Sequence, residues 1–292
     1  MFVSTTTSLR GKIGYKGNVE LMKQAGFTAY DIGLARGDGG PAIIEDEFIG
    51  DDYREKALEL REFADQIGIV CNQAHAPFGS HYGDATPDTP LFQMTVRSME
   101  IASILGAKNI VIHPMQFLHY PYYIHELKEI NRRFYSDLLP YAEEYQITML
   151  TENMWRNQPV SEQIIPSTCA WAEEFCAYID MIDSPYMKGC LDIGHAVLTG
   201  ENLTRIITML GSDRLAGLHI HDVTPTADSH TLPYTQSVDF SEMLSALKSI
   251  GYRGDITFES ANFERKFPQE LYLSALRLTA DVGHYFKHCL EA

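Results

Sequence analysis

Short β-branched or apolar runs alternate with longer segments whose apolar residues recur at intervals of three and four, and this beat continues along the whole chain. It predicts strands at residues 2–6, 28–34, 69–75, 109–114, 148–153, 189–195, 215–222 and 255–259. Amphipathic helices are predicted at 18–25, 53–67, 94–105, 125–145, 169–181, 203–210, 240–250 and 268–287. Gly26, Gly68, Gly106, Gly211 and Gly251 stand where a left-handed residue closes a helix before the next strand. The strands are short and mostly apolar rather than strictly alternating, which suits a parallel sheet covered by helices. Eight strand–helix units in 292 residues match a (β/α)8 TIM barrel of the α/β class. An open, doubly wound sheet is the structural alternative, but no GxGxxG turn follows the first strand to anchor a dinucleotide. No low-complexity linker divides the chain, so residues 1–292 are read as one TIM-barrel domain.

Composition narrows what such a barrel can meet. Apolar residues make up 45% and charged residues 21%, values that exclude a disordered or fibrous chain. The formal charge of −16 repels phosphate backbones at long range and disfavours a nucleic-acid partner. No run of about 18 apolar residues occurs, so no membrane partner is expected. The first residues lack a basic stretch followed by an apolar one, and the five cysteines are widely spaced without a CxxC pair. Both features read as a cytoplasmic protein with reduced thiols.

Catalytic groups of such barrels come from the C-terminal ends of the strands. Strand three ends in Asn72-Gln73-Ala74-His75, four in Ile112-His113-Pro114, and five in Thr151-Glu152-Asn153. Strand six ends in Leu191-Asp192-Ile193-Gly194-His195, seven in Leu218-His219-Ile220-His221-Asp222, and eight in Thr257-Phe258-Glu259-Ser260. One His or Glu at a strand end is ordinarily a hydrogen-bonded structural group. Six consecutive ends of this kind would repel one another and lose solvation, a conflict that a divalent cation resolves. The donors are oxygen and nitrogen without cysteine, which suits Mn2+, Mg2+, Co2+ or Zn2+. Glu152 to Asp192 spans 40 residues, Asp192 to His219 spans 27, and His219 to Glu259 spans 40. Each step is about one βα unit, so four successive strands would each supply one ligand.

These residues resemble the xylose-isomerase-like superfamily of barrel proteins, the sugar (phosphate) isomerase/epimerase family that also contains endonuclease IV. The resemblance covers nearly the whole chain. Its specific pieces are His75-Ala76-Pro77-Phe78, the run from Leu105 to Pro114, Thr151-Glu152-Asn153, the run from Leu191 to His195, the run from Leu218 to Asp222, and Asp228-Ser229-His230. It implies that Glu152, Asp192, His219 and Glu259 hold one divalent metal ion, Mn2+, Co2+ or Mg2+, with Zn2+ also compatible. Glu152 and Glu259 double as the acid/base pair. The family's strand-seven ligand stands three residues before an acidic residue, which selects His219 before Asp222. His221, two residues on and facing the same way, is its competitor or a substrate contact.

The implied activity is isomerisation or epimerisation of a ketose or keto-polyol through an enediolate, with His195 bonding the polarised oxygen. His75, His113, His221, Asp228, His230 and Trp155 are candidate substrate contacts, and the expected partner is a small sugar or polyol. Related isomerases often continue strand seven with Asp-x-His-x-x-Pro-Gly-x-Gly. Here Thr231-Leu232-Pro233-Tyr234-Thr235-Gln236 follows, so the loop over the substrate has a different shape. Phe117, His119, Tyr120, Tyr122 and Tyr123 after strand four could stack on a sugar, pack between loops or serve a homo-oligomeric contact. Trp171, inside an amphipathic segment, is read as core.

The rival is a multi-zinc phosphodiesterase acting on abasic DNA. The ligand pattern of endonuclease IV can be traced here through His75, His113, Glu152, Asp192, His195, His219, Asp228, His230 and Glu259. Against it stand the net charge and the lack of a clustered Arg/Lys stripe in the strand-end loops. An inosose-type dehydratase is a further alternative, since the same enediolate can eliminate a β-hydroxyl. No Gly-rich turn opens a helix near the last two strands, so the substrate is expected to be unphosphorylated.

Overall fold

The computed structural model describes residues 1–34, 46–158 and 160–292. Eight parallel strands form the barrel: β1 (Val3–Thr5), β2 (Ala29–Gly33), β3 (Val70–His75), β4 (Asn109–Val111), β5 (Thr148–Glu152), β6 (Met187–Asp192), β7 (Leu215–His219) and β8 (Ile256–Phe258). Strands β2 to β7 pair in sequence order, and β1 pairs with β8. Single bridges between Thr6 and Asp31 and between Ile220 and Phe258 join the two pieces into a ring. Around it run α1 (Arg10–Ala25), α2 (Tyr53–Ile67), α3 (Pro90–Leu105), α4 (Ile124–Tyr145), α5 (Ala172–Asp180), the short α6 (Ile193–Thr199), α7 (Leu203–Arg214), α8 (Phe240–Ser249), the single turn α9 (Ala261–Glu264) and α10 (Tyr272–Glu291).

Gly26, Gly68 and Gly106 do close α1, α2 and α3 in the left-handed conformation. Gly211 does not close its helix. At φ 61° it kinks α7, which continues to Arg214. Strand six is shorter than predicted and ends at Asp192. Its side chain accepts the His195 N–H at 2.7 Å, so the chain turns at once into α6 and His195 becomes helical. Two antiparallel hairpins, Trp155–Asn157 with Ile164–Pro166 and Asp222–Thr224 with Ala227–Thr231, rise after β5 and β7. Segments of three to five residues carry too little alternation for either hairpin to be read from period. Trp171 lies outside the core, 37% exposed at the N-cap of α5.

Inside the barrel, apolar packing is thin and polar pairing is extensive. Val111, Leu150 and Cys190 form a small buried patch. Gly217 makes room for it, since a Cβ there would lie 2.6 Å from Leu150 Cδ1 and 2.7 Å from Gln73 Oε1. A register slip between the Tyr30–Cys71 and Asp31–Gln73 pairs leaves Asn72 as an extra residue in β3. Its amide donates to Asp255 Oδ2 at 3.0 Å, beside a Ser4–Thr257 hydroxyl contact of 3.0 Å. The main apolar layer lies between strands and helices, and α10 closes it over β1 and β8.

Gly283 is the point of closest approach of α10. A Cβ there would sit 2.3 Å from Val3 Cγ1 and 2.7 Å from Phe258 Cε2. Gly283→Ala should wedge α10 away from the barrel and cost about 1–3 kcal/mol, despite a gain of roughly 1 kcal/mol in helix propensity. Urea unfolding reads this as a lower midpoint, and an unchanged or raised midpoint would contradict the packing.

Candidate active site and metal centre

Parallel strands in near-equal register bring their last residues to one level. Glu152, Asp192 and His219 are the final residues of β5, β6 and β7, and Glu259 is the first after β8. Asp31 lies in β2, His75 ends β3, and His113 stands two residues beyond β4. Asp31, His75, Glu152, Asp192, His195, His219 and His221 are all buried.

The described residues form three donor groups. In each, one ligand atom per residue lies within 4.8 Å of the others. The first is Glu152, Asp192, His219 and Glu259, in which His219 Nδ1 is 3.2 Å from both Glu152 Oε1 and Glu259 Oε2. The second is His75, His113 and Glu152, with His113 Nε2 at 3.2 Å and His75 Nε2 at 3.8 Å from Glu152 Oε2. The third is His195, His221, Asp228 and His230, in which Asp228 Oδ2 is 3.3 Å from His195 Nε2 and 2.9 Å from His230 Nε2. The two strand-seven histidines therefore part company. His219 joins the glutamates, whereas His221 Nε2 lies 3.0 Å from both Asp192 oxygens. Gly194 makes this approach feasible, because a Cβ there would lie 2.2 Å from the His221 ring.

Backbone carbonyls set the tautomers. His75 Nδ1 meets Ala76 O, His195 Nδ1 meets Asn153 O and His230 Nδ1 meets Glu259 O, each at 2.9 Å. A carbonyl can only accept, so each Nδ1 carries a proton and each neutral ring turns a lone pair on Nε2 towards a carboxylate. Two acceptors face one another unless a proton or a metal cation lies between them. Glu152 Oε2, Asp228 Oδ1 and His221 Nδ1 are moreover buried without a hydrogen-bond partner. On the far side of His219, Nε2 faces the Gln73 amide at 3.2 Å and Asp31 Oδ2 at 3.6 Å, which leaves Nδ1 for the carboxylates.

Without a metal, protons supply the missing positive charge. Burial lowers the His195 pKa, but Asp192 and Asp228 outweigh it and raise it well above the usual imidazole value. For His230, burial is likewise outweighed by Glu259 and Asp228, which push the pKa up to about 9. Burial opposes ionisation of Glu152, yet His219 and His113 hold its carboxyl well below the usual range. Asp228 is held low in the same way by His195 and His230. His113 is the exception, since burial prevails and lowers its pKa.

A cavity of about 550 Å3 opens onto Glu152, His113, His195, Asp228, His230 and Glu259, with Phe78 and Trp155 among its walls. The Trp155 indole donates to Asp228 Oδ2 at 3.0 Å, and Phe78 packs on the His75 and His113 rings at 4.8 Å and 5.0 Å. The aromatic residues of the loop after β4 do not line this cavity, although His113 and Gln116 of the same loop do. Tyr120 is buried, 3.2 Å from Glu174 Oε2, while Tyr122 and Tyr123 are exposed. Three arginines stand at the barrel mouth. Arg156 lines this cavity, and Arg10 and Arg265 line an adjoining one. No local pattern marks Arg10 and Arg265, which lie at opposite ends of the chain.

Residues 19–282 match the family described as xylose isomerase-like TIM barrel. A D-psicose 3-epimerase from Enterocloster bolteae is 27% identical over 258 residues, covering 84% of this chain and 76% of the relative. A putative L-ribulose-5-phosphate 3-epimerase from Haemophilus influenzae is 25% identical over 222 residues, covering 70% of this chain and 71% of the relative. The solved structure of a D-tagatose 3-epimerase-like protein shares the fold. Its TM-score is 0.76 at 19% identity, with 100% of this chain and 98% of that chain covered.

The raised histidines give the metal-free protein a defined pH response. Between the ordinary imidazole value of 6.5 and the value of about 9 reached by His230, the folded state binds more protons than the unfolded chain. The stabilisation is complete well below pH 6.5, and the part that His230 supplies is lost as pH rises through about 9. His113, whose pKa is lowered, opposes this contribution near and below the ordinary imidazole value. With divalent ions chelated, Tm should fall from pH 6.5 to pH 9, and added Mn2+ or Zn2+ should shrink the fall by replacing the protons. A flat profile in chelator would refute the charge balance described.

Proposed function

This chain belongs to the xylose isomerase-like TIM barrel family, and within that family we propose that it is a divalent-metal-dependent isomerase or epimerase of a ketose or keto-polyol. The carrying observation is the pair of carboxylates Glu152 and Glu259. They come from β5 and from just beyond β8, each 3.2 Å from His219 Nδ1, and both line one cavity. Moving a proton off a carbon and returning one to the other face calls for two such bases. The names of the curated relatives, a psicose 3-epimerase and a putative ribulose-phosphate 3-epimerase, support sugar chemistry.

Glu152, Asp192, His219 and Glu259 would hold the ion. Three carboxylates and one imidazole suit Mn2+, Co2+, Mg2+ or Zn2+, and the unpartnered Glu152 Oε2 fits a cation. When bound, the ion polarises the substrate carbonyl and acidifies the adjacent C–H. One glutamate removes that proton to leave an enediolate, and the other delivers a proton in the second half of the reaction. His195, oriented by its Nδ1 bond to Asn153 O, presents Nε2 to the substrate oxygen. Phe78 and Trp155 flank the reacting carbons and keep water out. His113, Asp228 and His230 line the cavity that would take the sugar, whereas His75 lines the adjoining one and His221 lines neither.

The three donor groups favour a second reading. A multi-zinc phosphodiesterase would use His75 and His113 for one further ion and His195, Asp228 and His230 for another, with Glu152 shared.

Asp192→Asn removes a charge and a donor, so metal content after dialysis should drop by at least about tenfold in affinity. Undiminished affinity would remove Asp192 from the ligand set. For the reaction itself, turnover of a ketose in deuterated water should place solvent deuterium on the carbon beside the carbonyl. Efficient turnover without exchange would point to a hydride shift.

His230→Ala separates the two readings. With one ion per chain the variant should keep its metal while KM rises or kcat falls. Loss of one of three zinc ions, together with loss of cleavage at an abasic site, would establish the phosphodiesterase instead.

A further inference from the structure

Two guanidinium groups stand on the β1 and β8 side of the barrel mouth. Arg10, the first residue of α1, donates from Nη1 to Thr7 O at 3.0 Å. Arg265, directly after α9, donates from Nε to Ser8 O at 3.0 Å. The accepting carbonyls belong to consecutive residues, so both cations are tied to one short backbone segment. Gly33 leaves the space for the first, since a Cβ there would come within 3.1 Å of Arg10 Nη1. A cavity of about 290 Å3 lies against Arg10, Arg265, Thr6 and Ser8 and shares His230 and Glu259 with the larger cavity.

Among the described residues no carboxylate makes an ion pair with Arg265. The neighbouring Glu264 is buried, and its Oε1 accepts from Ser260 Oγ at 3.1 Å and Thr279 Oγ1 at 3.3 Å. Burial and the like charge of Arg10 work against the Arg265 cation and are only partly offset by the nearby Glu264 and Glu259 carboxylates. An anion entering the cavity that both arginines line would give Arg265 the ionic partner it lacks among the described residues. The planar fork of a guanidinium matches a carboxylate or a phosphate.

We propose that Arg10 and Arg265 form an anion subsite, so that the substrate is a ketose or keto-polyol carrying a terminal carboxylate or phosphate. Its reacting carbons would lie between Glu152 and Glu259 and its charged end against Arg265. The assignment rests on the isomerase or epimerase reading and replaces the expectation of an unphosphorylated sugar with that of an anionic one. Arg156, the third arginine at the mouth, stands alone and donates to Leu118 O at 2.7 Å.

The test compares D-psicose, the same sugar with a terminal phosphate, and the corresponding keto-sugar acid, all with the metal-loaded protein. One anionic substrate should exceed the neutral sugar in kcat/KM by about tenfold or more, and its identity names the anion. Arg265→Ala should lower the anionic-to-neutral ratio by about tenfold or more, and Arg265→Lys should restore part of it. Equal use of neutral and charged sugars by the unaltered protein overturns the subsite, as does a ratio that responds to Arg156→Ala and not to Arg265→Ala.

If no sugar is turned over, the isomerase reading fails, and the subsite is then judged by calorimetric binding of inorganic phosphate. Binding that survives Asp192→Asn and is lost in Arg265→Ala supports it. Absent binding, or binding lost in Asp192→Asn and kept in Arg265→Ala, overturns it.

Discussion

A carboxylate without solvent exposure, Glu152, lies within 4 Å of ring nitrogens from four histidines. His113 and His219 approach to 3.2 Å, His195 to 3.6 Å and His75 to 3.8 Å. Burying a lone carboxylate in an apolar interior costs several kcal/mol, and in a barrel mouth shared with Asp192 and Glu259 the cost is compounded by like charge. The surrounding architecture answers that one constraint. β3, β4, β6 and β7 each end in or lead into an imidazole, and backbone carbonyls fix three rings so that Nε2 faces a carboxylate. The centre is thus built to hold positive charge, which protons carry in the metal-free protein and which a metal ion could carry in their place.

This centre was largely legible in the chain because a barrel turns sequence position into place. Every strand delivers its last residue to the same ring, so polar residues at strand ends need only be counted. Glu152, Asp192, His219 and Glu259 converge as their spacing implies, and Gly194 carries its own signal, since a side chain there would collide with His221. What stayed hidden depends on contacts that no period encodes. The apolar neighbours of His195 predict a strand, whereas the Asp192 side chain starts a helix beneath it. The two hairpins are too short to show a pattern. Arg10 and Arg265 are brought together only by closure of β1 against β8.

The loop after β7 shows how this chain departs from related isomerases. In place of a glycine-rich run, the buried Asp222 accepts backbone N–H groups from Val223, Thr235, Gln236, Ser237 and Val238 at 2.7–3.0 Å. One carboxylate thereby gathers a segment that glycines would otherwise let turn, and it frees the preceding hairpin to present Asp228 and His230. His230 does so at φ 40°, an uncommon conformation for a residue with a side chain. Trp155, from the hairpin after β5, reaches across to Asp228. The groups that could hold a metal thus sit on strand ends, while the parts that would sense a particular substrate sit on loops, the division that lets one barrel serve many substrates.

The two glutamates are not equivalent, and the difference bears on stereochemistry. The Glu152 side chain has no solvent exposure, whereas that of Glu259 keeps 17% of its surface. In the proposed reaction, a proton on Glu259 can trade with water through the cavity, while one on Glu152 is walled in by histidine rings. Inversion needs the two bases on opposite faces of the carbon, and unequal burial lets one of them exchange its proton with water more readily than the other. The wet side is also the side of Arg10 and Arg265, since Glu259 lines both cavities. A substrate whose anionic end docks there would cover Glu259 as it binds. Exchange with solvent would then be confined to the open enzyme, and proton transfer to the closed complex.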